Sequence, residues 1–565
     1  MKHKKVMIFA VVLAGICFVM SCGTNQKETA DNSSKKETTA KETEKKEYEL
    51  CMEEDKQTYQ DVLPAVDGDY YIDIDSVITQ IISKEEKIPS GDNVYDIRDF
   101  GAVADDNILS TSAINEAVSA AAKTSGTVLI SGGTYRSGTV TLQSNITLYI
   151  APDAKLIGSR NVEKYANGLI RILNAKNVTI TGGGTISGDG EYFVGIPDTS
   201  DTSYKAEADW TEPHLEKADF VNAMTLRTMY RACIRGLKMN WNRPANMIYV
   251  SGSENIQFHN IILEASPCWT LNLENSNHIT IDHMVMNNNR HIANADGIDI
   301  VSSSNVTVSN SFISTADDGI VLKNPGTAKQ AMSNINISNT EIMSVMNCFK
   351  IGTETYHDIS DVTVTDCRFF LTDIYPGACS GISIEAADGA HVTNIDIKNI
   401  EMEDVSCPIF ICANNRNKDY GAAVKDWNSL IDGVTIENVT ADGAEICSVI
   451  TGASNVTAET EASKWTLVKN VHIKDYTATY RESTQNLGEQ ALEYEDTVDS
   501  VTGKKLYATY NCYPENNSMG DLPAYGFYIR HANGVELENI HVTPRSVDTR
   551  ENIVQDGFVQ NVSIK

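Results

Sequence analysis

Carboxylates precede two short apolar segments near the middle of the chain. Asp296 precedes Ile298–Val301, and Asp317 and Asp318 precede Ile320–Leu322. The two segments look like copies of one unit set 22 residues apart, a length that suits one coil of a β-solenoid. Stacked coils place parallel strands about 4.8 Å apart, which would bring the three carboxylates onto one face. Clustered like charges keep one carboxyl protonated and another ionised, the pair that acid and base hydrolysis of a glycosidic bond requires.

Short repeats occupy most of the chain after the first hundred residues. Each consists of Asn followed by an alternating pair of apolar residues. Asn tolerates the left-handed turn that leads into a strand, and its amide can bond the equivalent Asn one coil away. The alternate apolar residues fill a narrow interior. These repeats predict one elongated β-solenoid, and they begin at Asn145, Asn177, Asn255, Asn305, Asn334, Asn394, Asn470 and Asn561.

The start of the chain has the pattern of an export signal. Lysines precede the apolar run Val6–Met20, and Val19–Cys22 resembles a bacterial lipobox, which implies cleavage before Cys22 and lipidation of its thiol. Simple secretion with cleavage nearby is the alternative. The polar segment Thr24–Glu49 cannot bury enough apolar surface to fold. We divide the chain into a lipoprotein-type signal peptide (residues 1–22), a polar tether and N-terminal extension (23–90), and a catalytic β-helix (91–565).

Charge and cysteine content narrow the choice of partners. The formal net charge of −30 argues against nucleic acid, whose phosphates need basic patches. We expect a monomer outside the cytoplasm, at the cell surface or facing the periplasm, that meets a polysaccharide or oligosaccharide and touches the membrane only through its lipid anchor.

Most of the 12 cysteines are expected to be buried free thiols. Bridges Cys367–Cys379 and Cys407–Cys412 are the alternative.

The beginning of the repeat region resembles a known fold. Asp99–Ala102, a predicted helix from about Ser112 to Lys123, and Gly132–Tyr135 are similar to the entry of pectin-lyase-like proteins. The resemblance implies an all-β fold, a right-handed parallel β-helix with a short N-terminal capping helix. Alanines such as Ala113 and Ala117 on one side of that helix would close the open end of the solenoid.

The middle of the chain is similar to glycoside hydrolase family 28, the polygalacturonase-like enzymes. Asn294-Ala295-Asp296 resembles the family's Asn-Thr-Asp motif, and Asp317-Asp318 resembles its Asp-Asp motif. The resemblance implies that Asp317 is the general acid and that Asp296 and Asp318 hold and deprotonate the attacking water, with inversion. Side-chain alternation agrees that Asp317 differs in direction from the other two. Coil spacing of about 5 Å is instead nearer the carboxylate separation of retaining enzymes.

Two further motifs of the family, Gly-His-Gly and Arg-x-Lys, are missing. When the inward apolar pairs of successive coils are aligned, the His position falls on Asn347, and the Arg and Lys positions fall on Ser383 and Glu385. A carboxylate where the family binds that of galacturonate is repulsive, which argues against plain polygalacturonate and favours a neutral sugar. His357 or His291 could replace the missing His.

Several polar residues fall on the same face as the acidic motifs. Lys323 and Lys350 could bind sugar hydroxyls, lower the pKa of the neighbouring aspartates, or form structural ion pairs with Asp299 or Glu385. No metal or other cofactor is expected for hydrolysis. The alternatives are a β-helical lyase, with Lys350 as base and Ca²⁺ on the aspartates, and a surface glycan-binding protein without catalysis. The predicted substrate-binding residues are Asn294, Asp299, Lys323, Asn347, Lys350, Glu354, His357 and Arg416.

Overall fold

The computed structural model describes the greater part of the chain from residue 72 onward. The predicted leader, the lipidation site Cys22 and most of the predicted tether lie outside the described residues. No helix in the described part is long and apolar enough to cross a membrane. The described residues are 72–84, 87–195, 238–239, 243–289, 292, 294–327, 331–371, 378–416, 418, 420–421, 429–454, 465–466, 468–480, 497–498, 505–506, 514–516, 522–544 and 548–565.

Strands dominate these residues. Two α-helices, α1 (Ile74–Ile81) and α2 (Thr111–Ala121), and 3₁₀ turns at Ile97–Phe100, Val162–Lys164 and Gly190–Phe193 accompany them. In chain order the strands are β1 (Val94–Asp96), β2 (Thr127–Ile130), β3 (Gly133–Ser137), β4 (Val140–Leu142), β5 (Ile146–Ile150), β6 (Ala154–Gly158), β7 (Ile170–Leu173), β8 (Lys176–Thr181), β9 (Thr185–Ser187), β10 (Val194–Gly195), β11 (Lys238–Met239), β12 (Asn246–Ser251), β13 (Glu254–Glu264), β14 (Trp269–Glu274), β15 (Asn277–Asn287), β16 (Ile298–Val301), β17 (Ser304–Thr315), β18 (Ile320–Asn324), β19 (Met332–Ser344), β20 (Asn347–Thr355), β21 (Ile359–Phe370), β22 (Ala378–Ala386), β23 (His391–Glu403), β24 (Val405–Ala413), β25 (Leu430–Ala444), β26 (Ser448–Thr451), β27 (Ala453–Ser454), β28 (Trp465–Thr466), β29 (Val468–Tyr480), β30 (Thr497–Val498), β31 (Lys505–Leu506), β32 (Ala524–Pro544) and β33 (Glu551–Ile564).

The strands form a right-handed parallel β-helix, as predicted. Within the described residues, 27 strands join in one continuous sheet of parallel pairs, and the remaining six form three short antiparallel pairs. Ile298 pairs with Ile320, and Ile300 with Leu322, so the predicted offset of one coil is correct. The same file continues from Ile320 to Phe349 and on to Ile382 in the next two coils. These inward side chains are fully buried and form the core.

The predicted row of left-handed turns is present. Asn145, Asn177 and Asn255 have φ of 62°, 57° and 56°. The Asn177 amide donates to Asn145 Oδ1, and that of Asn255 donates to Asn177 Oδ1, both at 2.7 Å. Neighbouring coils are therefore tied at their corners by side-chain amides as well as by backbone hydrogen bonds.

A second row of left-handed residues runs parallel to the first and was not predicted. It bends each long strand, and its amides also bond from coil to coil, as in the 2.7 Å contact from Asn339 to Asn310. One Asn or Asp in the middle of a continuous strand gives little sequence signal, which explains why the row was missed. Its members are Asn260, His283, Asn310, Asn339, Asp366, Asn399, Asn438, Asp475 and Asn539.

Both helices pack on the solenoid. The predicted capping helix is α2, which buries Ala113, Ile114 and Ala117 among other apolar residues. Helix α1 lies in the predicted N-terminal extension and contacts β15 and β17. Just beyond it, Ser83 exchanges two hydrogen bonds with the side chain of Asn260, which fixes the described part of the extension to a turn of the second row.

The described cysteines are free thiols, and none forms a disulfide. They include both members of each bridge that the sequence left open. Burial raises the pKa of Cys348, Cys367 and Cys447 to about 12, so these thiols remain protonated and behave as apolar side chains.

The corner amides make a testable contribution to stability. Replacing Asn255 by Ala removes its hydrogen bond to Asn177 and places alanine, which disfavours positive φ, in a left-handed turn. We therefore expect the free energy of unfolding to fall by about 1–2 kcal/mol. Asn255→Gly keeps the turn favourable and should lose less. Urea titrations measure both, and equal losses would mean that the turn conformation contributes nothing.

Candidate active site

Three carboxylates meet where β16 and β18 begin. Asp296, Asp317 and Asp318 each offer an oxygen atom, and the three atoms lie within 4.8 Å of one another. The backbone carbonyl of Asp317 accepts hydrogen bonds of 2.7 Å from Thr315 and Ser344, which fixes the turn. The sequence-predicted convergence of the acidic motifs is thus present. Asp296 and Asp318 are buried, whereas Asp317 is partly exposed.

Lys323 neutralises one side of this group. Its Nζ lies 2.6 Å from Asp299 Oδ1 and 3.2 Å from Asp296 Oδ2, and 4.0 Å from the centre of the Trp269 ring. One ammonium cannot balance two buried carboxylates. Burial, and then repulsion by Asp299, raises the pKa of Asp296 to about 8, against the attraction of Lys323. Burial raises the pKa of Asp299 to about 6. Asp296 is therefore the member of the pair that keeps a proton near neutral pH.

Lys350 occupies the other side. Its Nζ lies 2.9 Å from Glu515, 3.5 Å from Asp318 and 3.8 Å from Glu385. The Asn347 amide donates to Asp318 Oδ1 at 2.8 Å. Asp318 thus faces an ammonium and an amide donor.

Glu515 is a residue that the sequence did not reveal. It comes from the insertion Gln485–Asp521, of which residues 514–516 are described near the site. The neighbouring Asn516 anchors it through a 2.7 Å hydrogen bond to Ser380 Oγ. No repeat pattern marks the residue of this insertion that reaches Lys350.

Arg243 was also missed. Its guanidinium donates to the backbone carbonyl of Pro267. Burial lowers its pKa, although the charges of Cys268, Asp296 and Asp317 oppose that shift. Because the charges of Asp296 and Asp317 act on Arg243, this cation belongs to the same site. It lies beside an irregular segment, where the repeats give no sequence signal.

Sequence comparisons relate this chain to a family of glycosidases. Residues 231–491 match the model of Glycosyl hydrolases family 28. An endo-polygalacturonase from Pectobacterium carotovorum subsp. carotovorum is 25% identical over 356 residues, which cover 60% of this chain and 78% of that protein. An exopolygalacturonase from Zea mays is 26% identical over 365 residues, 61% of this chain and 76% of that one.

Over residues 231–491 this β-helix is similar to glycoside hydrolase family 28. The matches indicate a glycosidase. Among solved structures, the family 28 exopolygalacturonase of Yersinia enterocolitica aligns with a TM-score of 0.56 at 18% identity, covering 84% of this chain and 78% of that one. An exopolygalacturonase from Thermotoga maritima aligns with a TM-score of 0.51 at 19% identity, covering 72% and 91%. Both likenesses concern the fold.

The positions of the missing family 28 motifs can now be compared with the structure. Asn347 pairs with Ser380, and Lys350 pairs with Ser383, so the alignment of coils used for the sequence is correct. Glu385 is fully buried and accepts a 2.7 Å hydrogen bond from Ser383 instead of facing the cleft. Burial raises its pKa to about 8 despite the nearby Lys350. The Arg-x-Lys positions therefore carry a hydroxyl and a buried acid.

The two lysines form ion pairs, which is one of the alternatives that the sequence left open. The nitrogen atoms of Lys323 and Lys350 already contact carboxylates. Direct contact of either lysine with a sugar therefore stays a prediction. Asp299 is fully buried against Lys323, so its predicted contact with substrate would have to run through that lysine. Asn294 has φ of 59° and is half-buried two residues before Asp296, where it shapes the turn that presents this aspartate.

The remaining predicted ligands form a second cluster. Arg416 donates to Asp388 at 2.9 and 2.6 Å and approaches Glu354 at 3.4 Å, while Lys418 lies 2.6 Å from Glu354. Burial alone would raise the pKa of Glu354, but Arg416 and Lys418 outweigh it and hold the pKa well below its usual range. His357 is half-buried with its ring edge against Tyr356. His291 lies outside the described residues.

Metal binding by the aspartates is poorly supported by this charge pattern. Lys323 and Lys350 already supply positive charge next to Asp296 and Asp318. Lys350 also lies within 3.8 Å of three carboxylates, those of Asp318, Glu385 and Glu515.

The raised pKa values predict how stability depends on pH. Asp296 and Glu385, with pKa values near 8, hold protons at pH 7 that the unfolded chain has released. The free energy of unfolding should therefore fall as pH rises from 7 to 8, by up to about 1.4 kcal/mol per pH unit for each group. Urea midpoints measure this slope. The double variant Asp296→Asn, Glu385→Gln should flatten it, and an unchanged slope in that variant would contradict the assignment.

Proposed function

We propose that this chain hydrolyses a glycosidic bond in a pectic or related polysaccharide, with a sugar that carries no carboxylate next to Lys350. The observation behind this proposal is that Lys350 is already paired with Glu515. A galacturonate carboxylate brought there would meet the carboxylates of Glu515 and Asp318 as well as the single ammonium. Like charges in a site of low dielectric are strongly repulsive.

The excess of negative charge extends over the whole cleft. Three cations, the ammonium groups of Lys323 and Lys350 and the guanidinium of Arg243, lie among six carboxylates. Hydroxyl groups of a neutral sugar can donate hydrogen bonds to such a site without adding charge. The six carboxylates are those of Asp296, Asp299, Asp317, Asp318, Glu385 and Glu515.

The three aspartates divide the work of hydrolysis. Asp317, the most accessible of them, gives its proton to the leaving oxygen. Asp318, which lies next to Lys350 and accepts a hydrogen bond from Asn347, takes the proton of the attacking water. Asp296 keeps its own proton near neutral pH and orients that water by a hydrogen bond. Because Asp296 and Asp318 share a register on successive coils, they form a cradle for one water, and we expect inversion at the anomeric carbon.

A product screen tests the reaction type. Wild-type protein and Asp317→Asn are incubated with pectic polysaccharides and with neutral plant and host glycans. We expect new reducing ends, no ultraviolet-absorbing unsaturated product, and a decrease of about 10²–10⁴-fold in kcat for the variant at an unchanged melting temperature. Unsaturated product would establish a lyase. Retention on a glycan column without turnover would identify a binding protein.

The division of roles predicts unequal effects of neutral substitutions. Asp296→Asn resembles the protonated aspartate and should lose only about 10-fold in kcat at pH 6, whereas Asp318→Asn should lose at least about 10²-fold. Steady-state kinetics on the substrate found in the screen measure both. Equal losses would mean that Asp296 must be ionised. Proton NMR of the first product formed reports inversion or retention.

Glu515 can be tested as the group that sets the charge preference. Glu515→Gln leaves Lys350 with fewer carboxylates, so the ratio of kcat/KM for uronate-containing over neutral substrates should rise by about tenfold, or about 1.4 kcal/mol. Glu341→Gln makes the same charge change at an exposed side chain outside the cleft and serves as the matched control. No change in the ratio for Glu515→Gln would refute this role.

We also propose that the chain is exported and anchored by a lipid on Cys22. The lipobox-like Val19–Cys22 after an apolar run supports this proposal. Metabolic labelling with an alkyne fatty acid should mark the wild-type protein and not Cys22→Ala, and the variant should appear in the soluble extracytoplasmic fraction. Labelling of the variant would contradict the anchor.

A further inference from the structure

Two imidazoles and a carboxylate meet on a flank of the β-helix that the proposed hydrolysis does not use. His259 belongs to β13, and Asp282 and His283 belong to β15 on the next coil. Asp282 Oδ2 lies 2.7 Å from His283 Nδ1 and 3.3 Å from His259 Nδ1. The two histidine side chains are 44% and 46% exposed, so the group is open to solvent.

This group interrupts the second row of left-handed residues. Asn260 and Asn310 occupy the row in the flanking coils, and His283, with φ of 51°, stands between them. A ladder position needs a side chain that both donates and accepts along the stack, which an amide does and an imidazole does poorly. Asn310 instead donates to Asp282 Oδ1 at 2.7 Å. At this coil the row therefore contains the imidazole of His283 in place of an amide side chain.

The carboxylate is held in a fixed orientation. Asp282 Oδ1 accepts from Asn310 and, at 2.8 Å, from Ser309 Oγ, which leaves Oδ2 directed at the two imidazoles. Partial burial opposes ionisation, but the hydrogen bonds from Asn310 and His283 outweigh it and lower the pKa of Asp282. Hydrogen bonds of this kind to the second oxygen orient a carboxylate that ligates a metal.

We propose that His259, Asp282 and His283 bind a divalent transition-metal ion of the zinc class. Two nitrogen donors and one carboxylate oxygen suit Zn²⁺, with water as a fourth ligand. Ligands 2.0–2.1 Å from a tetrahedral zinc lie about 3.3 Å apart. The His259–Asp282 separation already has this value, and the three ligand atoms lie within 4.8 Å of one another. His283 Nδ1, now 2.7 Å from Asp282 Oδ2, would have to move away by about 0.6 Å to reach the same separation.

A metal at this position would act as a clip between two coils. Its ligands come from β13 and β15, and α1 packs on β15 beside them. Zinc bound by the folded protein and not by the unfolded chain stabilises the fold by mass action. The clip would replace the amide contact that the row lacks at this coil.

Isothermal titration of the full-length protein with ZnCl₂ tests the site. His283→Asn restores the ladder amide, so it should fold normally while its affinity for zinc at this site falls at least about tenfold, and His259→Gln should behave alike. His278→Asn is the matched control, because His278 is also a left-handed histidine, with φ of 54°, in the first row. It should bind zinc as the wild type does. Zinc should raise the urea midpoint of the wild type and of His278→Asn and leave that of His283→Asn unchanged.

Two results would overturn the proposal. One is the absence of saturable zinc binding by the wild type. The other is binding that His283→Asn and His259→Gln leave intact, in which case the loss of binding in His472→Gln would assign the metal to the separate group of His472, Glu536 and Glu538. Because none of these residues belongs to the proposed catalytic cleft, the outcome is independent of whether the chain hydrolyses a glycan.

Discussion

Hydrogen bonding between parallel coils is the constraint on which the site depends. Each coil repeats its strand in register with the one below, so a polar side chain that leaves the core at one coil lies about 4.8 Å from its counterpart at the next. The file from Ile298 through Ile320 and Phe349 to Ile382 sets this register. Left-handed residues near the start and in the middle of the long strands hold this register by adding side-chain amide hydrogen bonds outside the core. The aspartates converge because they precede paired strands of successive coils.

The same stacking explains the unusual charge balance. Acids brought together at coil spacing repel one another, and burial adds to the cost of ionising them. One lysine lies on each side of the aspartate group: Lys323 contacts Asp296, and Lys350 contacts Asp318. With Arg243 the site holds three cations among six carboxylates. Burial and repulsion by Asp299 raise the pKa of Asp296 to about 8 against the attraction of Lys323, so the packing of the coils sets the protonation of this aspartate.

The sequence predicted most of the repeating features, but it missed one repeating row and the residues that lie outside the coils. Alternating apolar pairs such as Ile298 and Ile300 fixed the coil length, the stacking order and the face on which the aspartates lie. Alternation assigns a side chain to a face but says nothing about its partner, so whether Lys323 would bind sugar or Asp299 stayed open. Arg243 and Glu515 lie outside the regular coils, and no periodic signal accompanies them. The left-handed row that contains Asn310 and Asn339 was hidden because one polar residue within a long apolar strand resembles an ordinary exposed position.

The origin of Glu515 has a consequence for biosynthesis. This residue follows its partner Lys350 by 165 positions. Coils of a solenoid can stack as the chain emerges from the ribosome or from an export channel, and at a synthesis rate of about 5–20 residues per second Lys350 would precede Glu515 by roughly 8–33 s. During that interval the growing chain carries the aspartate cluster and Lys350 without Glu515. On the proposed role of Glu515, the substrate selectivity is therefore completed after the coils that hold the aspartates.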